Sequence, residues 1–456
     1  MKRIWLITSL QLISILAVMG LTRGEERESI PIYSLSACLR AANDDNAIIM
    51  KARQEIEIAY GRKLQAISEV VPHLSGEAGY TYLNTINTYE TEEGELPLNL
   101  HDNYLAGLTL EQSIYQGGKV LAGIKAAFLY DRYSEVFLRE AEETVAFQIK
   151  DLFNRLLLAQ KIVEVREETV THLEDALGIT DTKYRQGSAS EFDLITARVR
   201  LANSRTPLIE AENRVDILKT RLAKEMGLGD QEFQIVGELD ITPFEVKLND
   251  LNRLGLEYRP LIEQKVVEEE MMEQNLNAAA AGYQPTLSLF ASYEGEQPRY
   301  GLPPEDRFEF EWTAGATLKW NIFDGLMTPG RVKEAQGQYE QARIETGDTR
   351  RTVLLSIKQS YLDLMAARKA IDSHRETVGQ AEKAYQIGKI RWENGISTSL
   401  ELTEAELNLS ESRIMLQEAL AYYRIALAKI EKSVGLTIEE IKNLISAPQK
   451  YDQANI

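Results

Sequence analysis

The chain has 456 residues, a net charge of −19 and a pI near 4.9. A protein that neutralises nucleic-acid phosphates needs an excess of Lys and Arg, so this balance argues against a nucleic-acid partner. The single cysteine, Cys38, rules out an intrachain disulfide.

Met1-Lys2-Arg3, the apolar stretch Ile4 to Leu21 and the small residues Gly20 and Gly24 read as an export signal over residues 1–24 rather than an uncleaved anchor. No later run of about 18 apolar residues follows, so no further helix is expected to span a membrane. Leu35-Ser36-Ala37-Cys38 has the form of a lipoprotein cleavage box. Charged residues (Arg23, Glu25, Glu26, Arg27 and Glu28) separate it from the apolar stretch, and Leu39, Ala41 and Ala42 continue it as an amphipathic helix, so Cys38 is expected to be a buried thiol.

Beyond this point the chain repeats itself at an offset of 208 residues. Gly107-Leu108-Thr109-Leu110 returns as Gly315-Ala316-Thr317-Leu318, Tyr184-Arg185-Gln186-Gly187 as Trp392-Glu393-Asn394-Gly395, and Gly227-Leu228 as Gly435-Leu436. The expected organisation is a first unit over 30–228, a linker over 229–250 lying beside the helices, a second unit over 251–436 and a tail over 437–456.

Each unit opens with a predicted helix, Leu35 to Val70 or Leu251 to Ala281, that stops at Pro72 or Pro285. The period then changes from helical to two. Leu74, Gly76, Ala78, Tyr80 and Tyr82 alternate with Ser75, Glu77, Gly79 and Thr81; Leu287, Leu289, Ala291 and Tyr293 alternate with Ser288, Ser292 and Glu294, and Phe290 breaks the pattern. The return strands put Tyr104, Ala106, Leu108 and Leu110 on one face of the first unit. In the second, Phe308, Phe310, Trp312, Ala314, Ala316, Leu318, Trp320 and Ile322 share a face, opposite Glu309, Glu311, Thr313, Gly315, Thr317, Lys319 and Asn321.

Such alternation marks a strand between unlike media, and a membrane-spanning strand needs about 9–11 residues. An antiparallel sheet on a soluble core is the other reading. The export signal favours a transmembrane barrel, with Tyr104, Tyr115, Trp312, Trp320 and Phe323 as interfacial aromatics and Tyr89 to His101 and Gly295 to Arg307 as external loops. Four strands cannot close a barrel, whose smallest membrane form has about eight, so copies must share it; spacing does not choose between two chains and three.

After each hairpin no proline interrupts the chain from Pro97 to Pro207 or from Pro329 to Pro448. Lys119 to Tyr184 as one helix would extend about 100 Å. Gly187 and Gly395 end these helices in tight turns. On the returning helices Ala197, Leu201, Ser204, Leu208, Ala211, Val215, Leu218 and Leu222 follow a 4-3 spacing, matched by Ala405, Leu409, Ser412, Leu416, Ala419, Tyr423, Ala426 and Ile430. Pro207 is expected to kink the first of them.

Nothing in the chain favours an enzyme. His73, His101, His172 and His374 lack metal-ligand spacing, and Gly117-Gly118-Lys119 lacks the earlier glycine of a phosphate loop, so no metal or cofactor is expected.

The doubled order of helix, hairpin, long helix, turn and helix resembles the TolC-like outer-membrane efflux protein family. Two local motifs strengthen it. One is the strand-to-helix junction Leu110 to Gly118, echoed by Leu318 to Gly325; the other is Tyr184-x-x-Gly187 with Asp193, echoed by Trp392-x-x-Gly395 with Glu401. The resemblance covers about Tyr33 to Leu436. It implies a mainly α fold with four strands per chain, a homotrimer sharing a twelve-stranded barrel in outer-membrane lipid, and a long α-helical barrel in the periplasm. It implies a passive conduit working with a periplasmic adaptor protein and an inner-membrane pump, with protein-toxin secretion as the rival within the class and a periplasmic coiled-coil scaffold as the rival outside it.

By the same resemblance Glu401 and Glu404 would ring the periplasmic mouth as a gate and selectivity element, and Asp193 would help hold it shut. Gly187, Ser188, Gly395, Ser397 and Thr398 would dock the adaptor. Ser397 stands where the family has an arginine partner for that aspartate, and Trp392 where a tyrosine is usual, so the closing network must differ.

Overall fold

The computed structural model describes residues 30–92, 94–229, 231–298 and 304–446. The export signal read over 1–24 and residues 447–456 of the tail lie outside them.

The first unit runs β1 (Ile32–Tyr33), α1 (Leu35–Asp45), α2 (Ala47–Ser68), β2 (His73–Tyr82), β3 (Thr88–Thr91), β4 (Gly94–Pro97), β5 (Asp102–Gln116), α3 (Lys119–Arg185) and α4 (Glu191–Met226). The connecting segment holds β6 (Gln234–Ile235). The second unit runs α5 (Leu248–Tyr258), α6 (Pro260–Ala280), β7 (Thr286–Gln297), β8 (Glu309–Lys319), α7 (Met327–Glu393) and α8 (Ser399–Val434), and α9 (Ile438–Ser446) follows. The long helices α3 and α7 have 67 residues each, about 100 Å of rise.

Three expectations need correction. The opening helix of each unit is two helices. Asn46 breaks the first, its Oδ1 accepting from the Ile48 amide at 2.8 Å and so capping α2. Arg259 breaks the second because the proline after it disfavours helical backbone, while Pro260 itself suits the first position of α6. The last strand is shorter than its alternation: β8 stops at Lys319, leaving Trp320 and Ile322 beyond its end. The link from Tyr89 to His101 carries a small hairpin, β3 on β4. Helix α4 runs through Pro207 without interruption.

The two hairpins form one antiparallel sheet in the order β2-β5-β7-β8. Each strand continues into a helix: α2 leads into β2, β5 into α3, α6 into β7 and β8 into α7. The helices pack in the same order, α2 on α3, α3 on α6 and α6 on α7. Farther from the sheet the layer becomes α4 on α3, α3 on α8 and α8 on α7. Sheet and long helices therefore make one curtain, with α3 and α7 running its length and α1 and α5 packed against its middle.

Alongside them the shorter helices meet end to end. The C-terminus of α4 abuts the start of α2, where a Cβ on Gly227 would lie 2.5 Å from Asp45 Cβ. The C-terminus of α8 abuts the start of α6, where a Cβ on Gly435 would lie 2.8 Å from Pro260 Cδ. Both glycines have positive φ, 74° and 79°, and end their helices in the left-handed region.

Two apolar cores hold the middle of the curtain. One gathers Ile49, Ile149, Phe153, Leu222 and Met226, the other Leu254, Ile357, Leu364, Tyr423 and Ile430. Cys38 belongs to the first; it is fully buried, and burial pushes its thiol up to about 11. The connecting segment lies across both, burying Phe233 and Phe244, and β6 pairs in parallel with β1. Tyr423 donates to the Thr242 carbonyl at 2.7 Å, which ties this belt to α8. The seam residues on α4 and α8 are all buried or half-buried, as the 4-3 spacing requires.

Candidate functional site: a two-faced sheet and a turned helical end

Residues paired across neighbouring strands share a face, so the register separates the two surfaces of the sheet. One row is Leu74, Leu110, Ala291 and Ala314; another is Gly76, Leu108, Tyr293 and Trp312; a third is Ala78, Ala106, Gly295 and Phe310. The rows between belong to the other face: Ser75, Thr109, Ser292 and Thr313, then Glu77, Gly107, Glu294 and Glu311. The first surface is apolar and aromatic. The second carries Glu77, Glu111, Glu294, Glu296, Glu309 and Glu311 against Lys319.

Glycines on the polar face accommodate large side chains. The Glu294 side chain lies over Gly107, where a Cβ would meet its Cγ at 2.6 Å, and Thr109 donates to its carboxylate at 3.3 Å. Phe290, the residue that breaks the alternation, lies on the polar face with its ring over Gly315. Tyr104, Trp312 and Trp320 are all exposed, Trp312 by 77%. Trp320 sits past the strand end and its indole N–H donates to the Tyr283 carbonyl at 3.3 Å.

Neither outer edge of this sheet has a partner strand among the described residues: β2 and β8 each pair on one side only. The helical layer ends the same way. Its terminal helices expose apolar side chains at helical spacing: Phe192, Ile195 and Val199 on α4, and Ile344, Leu355, Leu362, Ile387 and Ile390 on α7.

Both helical turns far from the sheet have one design. At Gly187 (φ 74°) the Ser188 amide reaches the Lys183 carbonyl at 2.8 Å and the Gly187 amide the Tyr184 carbonyl at 2.9 Å. At Gly395 (φ 74°) Ile396 bonds to Arg391 at 2.8 Å and Gly395 to Trp392 at 3.1 Å. These are Schellman closures, and the left-handed residue in each favours glycine. The next helix then starts on a capping side chain. Ser190 Oγ accepts from the Asp193 amide at 3.1 Å while the Asp193 carboxylate accepts from the Ser190 amide at 3.0 Å, a reciprocal capping box; the Ser190 hydroxyl, 2.7 Å from the carboxylate, and then that amide hold this carboxyl below its ordinary range. Thr398 Oγ1 accepts from the Glu401 amide at 3.3 Å. Asp193 thus has a local structural partner.

Glu401 and Glu404 are exposed, one turn apart on one side of α8. Gly187, Ser188, Gly395 and Thr398 are exposed at the tips, whereas Ser397 is half-buried with its Oγ lacking a hydrogen-bond partner.

What joins the two turns was not visible in their motifs. Lys183 Nζ lies 4.6 Å from the centroid of the buried Trp392 ring and donates to the Trp392 carbonyl at 3.3 Å. Arg200 donates to the Ser399 carbonyl, also at 3.3 Å. A cation at the C-terminus of α7 is favoured by the helix dipole and by the indole face. The departures at Ser397 and Trp392 were the only signal that a different tie was needed. Higher up, His172 Nδ1 and the buried Glu406 carboxylate meet at 2.8 Å between α3 and α8, with Tyr385 of α7 stacked on the imidazole. Among the described residues no cluster of His, Cys, Asp and Glu could hold a metal ion, and no helix is long and apolar enough to cross a membrane.

A family model described as "Outer membrane efflux protein" matches residues 39–228 and 253–436. The chain is 22% identical over 444 residues to outer membrane protein TolC of Escherichia coli, covering 93% of this chain and 87% of that protein. It is 22% identical over 413 residues to the cobalt-zinc-cadmium resistance protein CzcC of Cupriavidus metallidurans, covering 90% and 91%. Among solved structures it shares its fold with outer membrane protein VceC of Vibrio cholerae, at a TM-score of 0.74 and 19% identity over 89% of this chain and 96% of that one. The CmeC outer membrane channel of Campylobacter jejuni gives a TM-score of 0.76 at 17% identity, over 90% and 88%.

Proposed function

As the chain belongs to the outer membrane efflux protein family, we propose that it is the outer-membrane conduit of a tripartite export system, passing substrate from the periplasm to the exterior without chemistry of its own. The observation that carries this is the pair of open ends on one curtain. An unpaired strand edge inside lipid leaves backbone N–H and C=O groups without partners, each costing several kcal/mol, so only a closed wall is stable there. The β8 edge of one copy meets the β2 edge of the next, and the exposed apolar rows of α7 and α4 meet in the same joint. Three copies give twelve strands and, at each level, twelve helices, in keeping with the family.

The apolar face then turns to lipid and the glutamate-bearing face to water. Six carboxylates against one lysine per chain make the barrel lumen a cation-favouring passage. At the far end the turns around Gly187 and Gly395, with Ser188, Ser397 and Thr398, present the surface for a periplasmic adaptor, and an inner-membrane pump supplies the driving force. Glu401 and Glu404, exposed beside this mouth, repeat around the threefold axis as a ring of negative charge, and Asp193 holds the neighbouring helix start. The Lys183–Trp392 contact replaces the arginine tie that Ser397 cannot make.

Single-channel recording tests this reading. The wild-type protein should form cation-selective channels in a planar bilayer. Replacing Glu401 and Glu404 together by glutamine should lower the cation-to-anion permeability ratio about threefold or more, since the ring acts at the narrowest place. An unchanged ratio would remove the two residues from the mouth. A protein that forms no conducting pore would remove the conduit.

A further inference from the structure

The duplication carries its own strand register. Leu74 pairs with Leu110 across the first hairpin; moved forward by 213 and 208 positions they become Leu287 and Leu318, which pair across the second. The same 213 positions separate Pro72 from Pro285 and the helix break at Asn46 from that at Arg259. So β8 is the equivalent of β5, and β7 of β2. Within one chain the two halves are joined by β5 on β7 and by α3 on α6. The outer edges of the sheet, β8 and β2, are the equivalents of the two strands in that joint.

The β5–β7 register, applied to those edges, sets each pair between one copy and the next. Leu110 opposite Ala291 becomes Leu318 opposite Ala78, and Leu108 opposite Tyr293 becomes Ala316 opposite Tyr80. Glu111 opposite Phe290 becomes Lys319 opposite Glu77. The residues brought together match. Lys319 is the only lysine or arginine in β2, β5, β7 and β8, and among the described residues no carboxylate of its own chain pairs with it. Glu77 is the only acid of β2, and on its paired side it faces Gly107, which has no side chain to offer. A slip of one residue would set apolar side chains against polar ones, and a slip of two would face the lysine with Ser75 or Gly79. The strand-to-helix elbow is kept as well. Gly117, at φ 64°, sits so close to the α6–β7 elbow that a Cβ would lie 2.5 Å from the Ala281 carbonyl oxygen; its equivalent Gly325 has φ 69° and nothing of its own chain within 4 Å of such a Cβ.

We propose that each copy joins the next by repeating its internal joint, with Lys319 of β8 opposite Glu77 of the next copy's β2, so that three inter-copy ion pairs ring the lumen wall. This rests on the three-copy wall proposed above and adds to it the register and the charge pair that selects it. Opposite charges directly across an antiparallel pair attract, and like charges there repel. The internal joint has Phe290 at the equivalent place, so the charges mark the outer edges alone. They also choose the partner edge. Two β8 edges would bring lysine to lysine and two β2 edges glutamate to glutamate, whereas β8 on β2 neutralises both. A head-to-tail contact of that kind closes into a ring. In the helical layer the same repetition turns α3 on α6 into α7 on the next copy's α2.

Cysteine pairs in a Cys38→Ala background, oxidised in the intact assembly in detergent, read the register. Directly opposite residues on neighbouring strands have Cα atoms about 4.5–5.5 Å apart, within disulfide reach, and a two-residue slip puts them about 7–8 Å apart, outside it. Lys319→Cys with Glu77→Cys should give two and three linked chains on denaturing gels. Lys319→Cys with Ser75→Cys, or with Gly79→Cys, should link about fivefold less or weaker still. Inside one chain the two edges are three strand spacings apart, about 14 Å, so every link is between copies. Charge exchange reads the ion pair itself. Lys319→Glu should lower the thermal midpoint of the assembly by about 2–4 °C, and adding Glu77→Lys should restore it. Stronger linking of a slipped pair would overturn the proposal. So would no linking of any pair in protein that light scattering shows to hold three chains, or an exchange variant no more stable than Lys319→Glu alone. Those results would leave the three-copy wall standing; a product with any other number of chains would overturn the wall and the proposal together.

Discussion

Replacing Ala314 by arginine should cost about 2–4 kcal/mol per copy and nearly abolish the folded assembly in the outer-membrane fraction. Ala314 is the middle residue of β8 and stands in the row Leu74, Leu110, Ala291 and Ala314, so an arginine there would lie at mid-depth on the face assigned to lipid. Its neighbour Thr313 stands in the row Ser75, Thr109, Ser292 and Thr313, and its hydroxyl lies 2.7 Å from that of Ser292. Thr313→Arg should therefore be tolerated at a cost of about 1 kcal/mol or less and should alter ion selectivity instead. Heat-modifiable mobility on gels and yield in membrane fractions measure both. Equal tolerance of the two substitutions would mean that the faces do not separate lipid from water. If Thr313→Arg is the damaging one, the faces are assigned the wrong way round.

The second large effect is expected at the first helix joint. Valine at Gly227 would have to adopt φ near 74° and place its Cβ 2.5 Å from Asp45 Cβ and 2.9 Å from the Asp45 carbonyl oxygen. Left-handed strain costs about 1–2 kcal/mol and overpacking against fixed backbone about 1–3 kcal/mol, so Gly227→Val should lose about 2–5 kcal/mol. Gly178→Ala near the C-terminal end of α3, where nothing lies within 4 Å of the added Cβ, should be neutral or stabilising by up to about 1 kcal/mol. Thermal midpoints of the purified assembly compare the two. Near-neutral behaviour of Gly227→Val would mean that α4 and α2 do not butt together as described.

Much of this architecture could be read from local pattern because the strands and long helices are nearly one-dimensional. The alternation from Phe310 to Leu318 reports the two faces directly, and the glycines at 187 and 395, each in a polar run, mark where the 67-residue helices reverse. The breaks at Asn46 and Arg259 had weaker signals. The run Asn43-Asp44-Asp45-Asn46 suits an exposed helix face as well as a cap, and Pro260 was a warning whose weight depended on what packs beside it.

What could not be read is helix-to-helix register. Nothing local says that β5 pairs with β7, fusing two hairpins into one sheet, since that choice is made by residues some 180 positions apart. The same holds for Lys183 on Trp392, His172 on Glu406 and Arg259 on Glu140, where each partner alone looks like an ordinary surface residue of a charged helix. Glu401 and Glu404 were legible as exposed acids on the helix after the second turn. The groups that tie the two turns together emerge only once the helices are laid side by side.

The mass of the mature protein in detergent, from light scattering corrected for the micelle, tests the central claim most directly. Copies that complete one another's sheet should give a single species of three chains that precipitates or aggregates when detergent is withdrawn. A monodisperse single chain, soluble in plain buffer, would contradict the account, because the edges of β2 and β8 and the apolar face between them would then need no neighbour.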